Sequence, residues 1–217
     1  MKDSRLSQFQ REVLEGVFRK EKRFFLSGGA ALAGFHLGHR ETDDLALFAT
    51  EDVLDAGAAA LTAVARDLGA TPEEILTTPD FRRRLLRRGD ESVIVDLVRK
   101  RDFQLVPDKP SIGGIRVDPA EEIMANKLCA LLARAEIRDL VDLRALEKAG
   151  FGVEDALKTG ARKDQGLTPG QLGWVLSEIR IGDDAAVPGG VSAVELRDYL
   201  RDLVARLSRL ALPRHQS

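Results

Sequence analysis

Residues 25–48 read FLSGGAALAGFHLGHRETDDLALF, and the parsing of this stretch decides the fold. Phe24-Phe25-Leu26 is a short apolar run that ends at Ser27-Gly28-Gly29, the pattern of a buried strand entering a turn. Small residues from Ala30 to Leu37 give a short helix packed closely behind the glycines. Arg40-Glu41-Thr42-Asp43-Asp44 then leads into a second apolar strand, Leu45-Ala46-Leu47-Phe48. Glycines let a backbone approach phosphate oxygens closely and turn its N–H groups toward them. A carboxylate entering a strand soon afterwards can hold a metal ion beside those phosphates. Alternate side chains of a strand share a face, so residues 44 and 46 point to one side and Leu45 and Leu47 to the core. The combination points to nucleotide chemistry on an α/β layer.

The rest of the chain supplies the frame. At 217 residues it fits one large or two small domains and can bury a substantial core. Lysine and arginine nearly balance aspartate and glutamate, leaving a formal charge of −2, so a nucleic-acid contact would have to use a local patch. The single Cys129 excludes an internal disulfide framework and suits a reducing cytoplasm. The opening MKDSRLSQFQ lacks the apolar core of a signal peptide. No apolar run approaches the roughly 20 residues that span a bilayer.

Leu6, Phe9, Val13, Leu14, Val17 and Phe18 recur at helical spacing and predict an amphipathic first helix. An Ala-rich helix follows over residues 53–68, with Gly69 as its stop. Strands are expected over 74–78, 81–88 and 92–98, the last a buried central strand carrying one charge, Asp96. A Pro/Gly-rich stretch from Arg101 to Val117 holds a further short strand and a domain boundary. Helices follow over 119–133, 136–149, 153–163, 169–179 and 192–210, the first opened by Asp118-Pro119. The expected fold class is α+β: a mixed β-sheet with flanking helices over residues 1–112, then a helical domain over 113–217.

Five candidates can carry chemistry. Asp44 is either a solvated turn residue or a ligand. Asp96, inside an apolar strand, is paired, metal-bound, protonated or reaching solvent at the strand end. Lys127 lies four residues after Ile123 and four before Leu131, on the inward stripe of its helix, where a lysine needs an anion or a route to water. In the run Phe81-Arg82-Arg83-Arg84-Leu85-Leu86-Arg87-Arg88, a strand places Arg82, Arg84 and Arg88 on one face. They either grip a nucleic-acid backbone or form a solvated edge. Asp142 is read as either a helix-surface residue or a site residue. His36, His39 and His215 form no metal-ligand set.

Two segments together resemble the signatures of the AbiEii/MenT-like nucleotidyltransferase toxins, within the polymerase-β-like nucleotidyltransferase superfamily. The family pattern is a Gly-Gly or Gly-Ser turn, a helix, then Arg-x-Ser/Thr-x-Asp-hydrophobic-Asp. Gly28, Gly29, Arg40, Thr42 and Asp44 match it, and Ala46 falls on the second aspartate. The later segment EIMANKLCALLARAEIRDLVDL, residues 122–143, resembles a Lys-Leu-x-Ala-Leu helix followed by Arg-Asp-x-x-Asp-Leu.

The resemblance implies that Ser27, Gly28, Gly29, Arg40, Thr42 and Lys127 bind an NTP. Asp44 and Asp96 would hold Mg²⁺, with Ala46 in the place of a third ligand, and Lys127 and Asp139 would complete the catalytic set. It also implies transfer of a nucleotide to an acceptor, tRNA in characterised relatives, and a separately encoded antitoxin as partner. With a methyl group at residue 46, the chain is expected to be inactive or impaired. Either it is a deliberately disabled toxin, favoured by the intact surroundings of Ala46, or it is a natural pseudoenzyme that binds nucleotide, RNA or a partner protein.

Overall fold

The computed structural model describes residues 4–212, which leaves His215 outside the described residues. The chain divides into two compact units, Met1–Asp102 with Val106–Pro119, and Phe103–Leu105 with Ala120–Ser217.

In the first unit, helix α1 (Gln8–Lys20) begins at Ser7, whose hydroxyl accepts from the Gln10 N–H. The Gln10 side chain accepts in return from the Ser7 N–H, a reciprocal cap that satisfies two otherwise orphaned donors. Strand β1 (Phe25–Ser27) runs into a single helical turn, α2 (Gly28–Ala31), which continues as a π turn over Leu32–His36. Then come β2 (Asp44–Ala49), α3 (Leu54–Asp67), β3 (Thr71–Thr78), β4 (Phe81–Arg88) and β5 (Glu91–Arg99). The strands form one mixed sheet in the order β1-β2-β5-β4-β3. Only β2 and β5 pair in parallel; the other neighbours are antiparallel. That parallel pair needs a crossover, which runs through α3 and the β3–β4 hairpin.

The two faces of the sheet differ. Leu45, Leu47, Leu86, Val93, Val95 and Leu97 are buried on the face covered by α1 and α3. Helix α3 presses close because Gly57 has no side chain; a Cβ there would sit 2.6 Å from the Phe24 ring and 3.1 Å from Leu97. On the opposite face β2 alternates strictly, with Asp44, Ala46 and Phe48 partly exposed between buried neighbours. Strand β3 ends the sheet. All its residues are exposed, and Ile75 is an extra residue between the pairs Glu74–Arg84 and Leu76–Arg83.

The expected short strand beyond residue 101 is a hairpin of β6 (Ser111–Ile112) and β7 (Ile115–Arg116). Val117 bridges to Leu26 in parallel, and the Asp118 N–H donates to the Leu26 carbonyl at 2.8 Å. These bonds tie residues 111–118 to β1, so the units divide after Pro119 and not at the expected 112/113 boundary.

The second unit is helical: α4 (Ala120–Arg134), α5 (Ile137–Lys148), α6 (Val153–Lys163), α7 (Pro169–Ser177) and α8 (Ala193–Ala211). Thr168 caps α7 ahead of Pro169, and Ser192 with Glu195 forms a capping box for α8. Helix α4 packs against α5, α6 and α7, burying Ile123, Leu128 and Leu131, while α8 buries Leu196, Leu203 and Leu207. Among the described residues, no helix is long and apolar enough to cross a membrane.

The tight seat of α3 gives the first prediction. Gly57→Ala forces a methyl into the Phe24 ring and is expected to destabilise the fold by about 1–3 kcal/mol. A lowered urea midpoint at unchanged slope would show it.

Candidate functional site

The turn after β1 is built on Gly28, which takes a φ of +65°, a conformation that a side chain disfavours. Gly29 matters for a different reason. A Cβ there would lie 2.6 Å from a guanidinium nitrogen of Arg40 and 3.5 Å from the Thr42 hydroxyl. The absence of that carbon lets Arg40, itself buried, lie directly against the turn. Thr42 donates from Oγ1 to Asp44 Oδ1 at 2.9 Å, and its carbonyl accepts from Gln10 Nε2 of α1 at 2.6 Å. Gly28, Gly29, Arg40, Thr42 and Asp44 are thus gathered at one end of the β1–β2 pair.

Register extends this group across the sheet. Ser27 pairs with Ala46, Ala46 with Asp96 and Asp96 with Arg83, one row over β1, β2, β5 and β4. Cross-strand partners share a face, and residues 44 and 46 share one along β2, so Asp44 and Asp96 lie on the same side, with Ala46 beside Asp96 in the row. Arg83 meets Asp96 as a fork: Nε donates to Oδ1 and Nη2 to Oδ2, each at 2.7 Å. These bonds hold the Arg83 guanidinium above its ordinary pKa, the neighbouring charges of Asp96 and Asp44 adding to them against a partial loss of hydration. The sequence pattern did not single out Arg83.

Ser27 is fixed from the side. Its Oγ donates to Asp118 Oδ2 at 2.5 Å, and Lys109 Nζ lies 2.7 Å from Asp118 Oδ1 with both charged side chains almost fully buried. The same ammonium sits 4.7 Å from the centroid of the Phe25 ring, and His36 Nε2 donates to the Asp118 carbonyl at 2.8 Å. Asp118, read as a helix opening, therefore also anchors the glycine turn.

Arg82, Arg84 and Arg88 do share a face, the one beneath the helices, while Arg87 lies on the face of Arg83. Arg82 pairs with Asp55 of α3 at 3.0 Å and Arg84 with Glu74 of β3 at 2.5 Å. Arg88 reaches Glu12 of α1 at 2.5 Å and Glu91 at 2.9 Å.

In the helical unit, Lys127 of α4 meets two carboxylates of α5, Asp139 Oδ1 at 2.6 Å and Asp142 Oδ2 at 2.5 Å. Both aspartates are fully buried, so Asp142 is no surface residue. Asp139 also accepts from Arg134 Nε at 3.0 Å. The three-residue spacing of the aspartates places them on one helix face, which explains how a single ammonium serves both.

A model of the "Nucleotidyl transferase AbiEii toxin, Type IV TA system" family matches residues 13–209. The chain belongs to the AbiEii family. The crystal structure of JHP933 from Helicobacter pylori is similar with a TM-score of 0.57 and 20% identity, over 92% of this chain and 90% of that one. A second crystal structure, of a Helicobacter pylori protein assigned as a nucleotidyltransferase, has a TM-score of 0.56 and 21% identity, over 96% and 100%. At such identities these neighbours attest the fold. No curated protein sequence matches.

The AbiEii resemblance implies a metal-holding carboxylate set, and the residues here do not fit one. Ala46 offers no oxygen. Both oxygens of Asp96 are engaged by Arg83. Among the described residues, no three His, Cys, Asp or Glu side chains are placed to hold a metal ion.

The Lys127 cluster yields the second prediction. Lys127→Ala leaves two buried carboxylates facing each other and is expected to cost about 3–5 kcal/mol of stability. Chemical unfolding monitored by circular dichroism would measure the loss.

Proposed function

We propose that this AbiEii chain retains the nucleotide-phosphate half of a nucleotidyltransferase site and lacks a working transfer half. Ser27, Gly28 and Gly29, with Arg40 lying against the turn and Thr42 beside it, receive the phosphates of an NTP. Backbone N–H groups and a guanidinium suit phosphate oxygens by geometry and charge. The proposed acceptor is tRNA and the proposed partner a separately encoded antitoxin, as the family resemblance implies. A cytoplasmic setting accords with the lone Cys129.

The observation that carries the reading is the register of Ala46 between Ser27 and Asp96. A methyl group stands in the row where the family pattern has a carboxylate, with the rest of that pattern intact around it. Loss of a charge that positions reactants lowers transfer by orders of magnitude. Arg82, Arg84 and Arg88 each meet a carboxylate already, so an RNA bound there would have to displace Asp55, Glu74 or Glu12 and Glu91.

Two measurements test this. Ala46→Asp is expected to raise incorporation of α-labelled nucleotide into tRNA at least tenfold in the presence of Mg²⁺; no gain in a folded protein would overturn the impaired-transferase reading. Transfer of γ-label to protein would instead indicate a phosphotransferase. Gly29→Ala, which displaces Arg40 from the turn, should weaken NTP binding about tenfold by calorimetry, a 1.4 kcal/mol effect. Unchanged affinity would remove the glycine turn from the site.

A further inference from the structure

The acidic face has a positive charge of its own. Asp96 is nearly buried, and a carboxylate in that setting needs a counter-charge. Arg83 supplies it through two parallel bonds of 2.7 Å, the geometry in which guanidinium and carboxylate match best. Ala46, the cross-strand neighbour of Asp96, has no oxygen with which to replace those that Arg83 occupies. On the same face, Asp44 contributes to the field on Arg83 while accepting from Thr42. Arg83 reaches in from the outer side: its side chain is 40% exposed, and its guanidinium lies 5.6 Å from the centroid of the Phe81 ring. A group held in this way can be displaced without opening the core.

We propose that Arg83 is the resident counter-ion of the acidic face, a guanidinium gate that a divalent cation must displace from Asp96 before it can bind there. The proposal rests on the functional reading only in taking Asp44 and Asp96 as what remains of a catalytic face. Its basis is the disagreement between the family's carboxylate set and the side chains present. In this chain one metal-side carboxylate is absent and another is already neutralised. Restoring aspartate at residue 46 therefore leaves the Arg83–Asp96 fork in place, and affinity for a divalent cation stays below what three carboxylates would give.

Calorimetric titration with Mn²⁺ alone, at fixed ionic strength, separates the possibilities. The proteins compared are Ala46→Asp and the double variant Ala46→Asp/Arg83→Gln, each checked for folding by circular dichroism. Removal of the guanidinium is expected to tighten Mn²⁺ binding at least tenfold. Affinities within twofold of each other would overturn the gate. Should the glutamine variant not fold, Arg83→Lys in the same background keeps a charge but loses the fork. It should tighten binding at least threefold, and no change would be equally fatal. Nucleotide transfer is not read in this titration. Failure of Ala46→Asp to label tRNA would thus count against the functional reading and leave the gate to be judged on Mn²⁺ alone.

Discussion

The parallel pairing of β2 with β5 sets Ala46 opposite Asp96, and through β4 it sets Arg83 opposite Asp96 in turn. Side chains alternate along a strand, so a slip of one residue would send Asp44 and Asp96 into the apolar layer under α1 and α3. The core fixes the register against such a slip: Leu45, Leu47, Val95 and Leu97 are all fully buried. Hydrophobic burial on one side of the sheet thereby dictates the electrostatics of the other. The acidic face is a by-product of where the leucines and valines must go.

Each unit also keeps a buried ammonium among carboxylates. In the first, Lys109 meets Asp118, which in turn holds Ser27. In the second, Lys127 meets Asp139 and Asp142, while Lys163 pairs with Glu122 and donates to the Phe103 carbonyl. Buried pairs of this kind add little net stability compared with apolar packing, yet breaking one leaves an uncompensated charge. They act chiefly as constraints on geometry. The Asp118 pair constrains the serine that begins the glycine turn, and the Lys127 cluster locks α4 to α5.

Much of this was legible from local pattern. Period-two alternation identified β2 and its two faces, and a charge inside an apolar run marked Asp96 as a residue needing a partner. The inward stripe of α4 did the same for Lys127. What escaped was information that local pattern does not contain. In FRRRLLRR, alternation yields two arginine faces but not which one the helices cover; that depends on α1 and α3 packing from elsewhere in the chain. The pattern points to Arg82, Arg84 and Arg88, whereas Arg83 is the one that faces Asp96. Asp118 reaches Ser27 across a separation of 91 residues, a contact that no window on the sequence encloses. Local pattern leaves Asp142 open between helix surface and site because the ammonium that meets it belongs to another helix.

The extra residue in β3 has a consequence for how the molecule behaves in a crowded solution. A border strand with unpaired amides and exposed Ile75 and Leu76 invites docking of a strand from a neighbouring molecule, the first step toward fibrous aggregates. The bulge at Ile75 interrupts the regular spacing such a neighbour would need, and Pro72 withholds a donor. The chain thus tolerates an uncovered apolar pair because the backbone beneath it is shaped to discourage self-association.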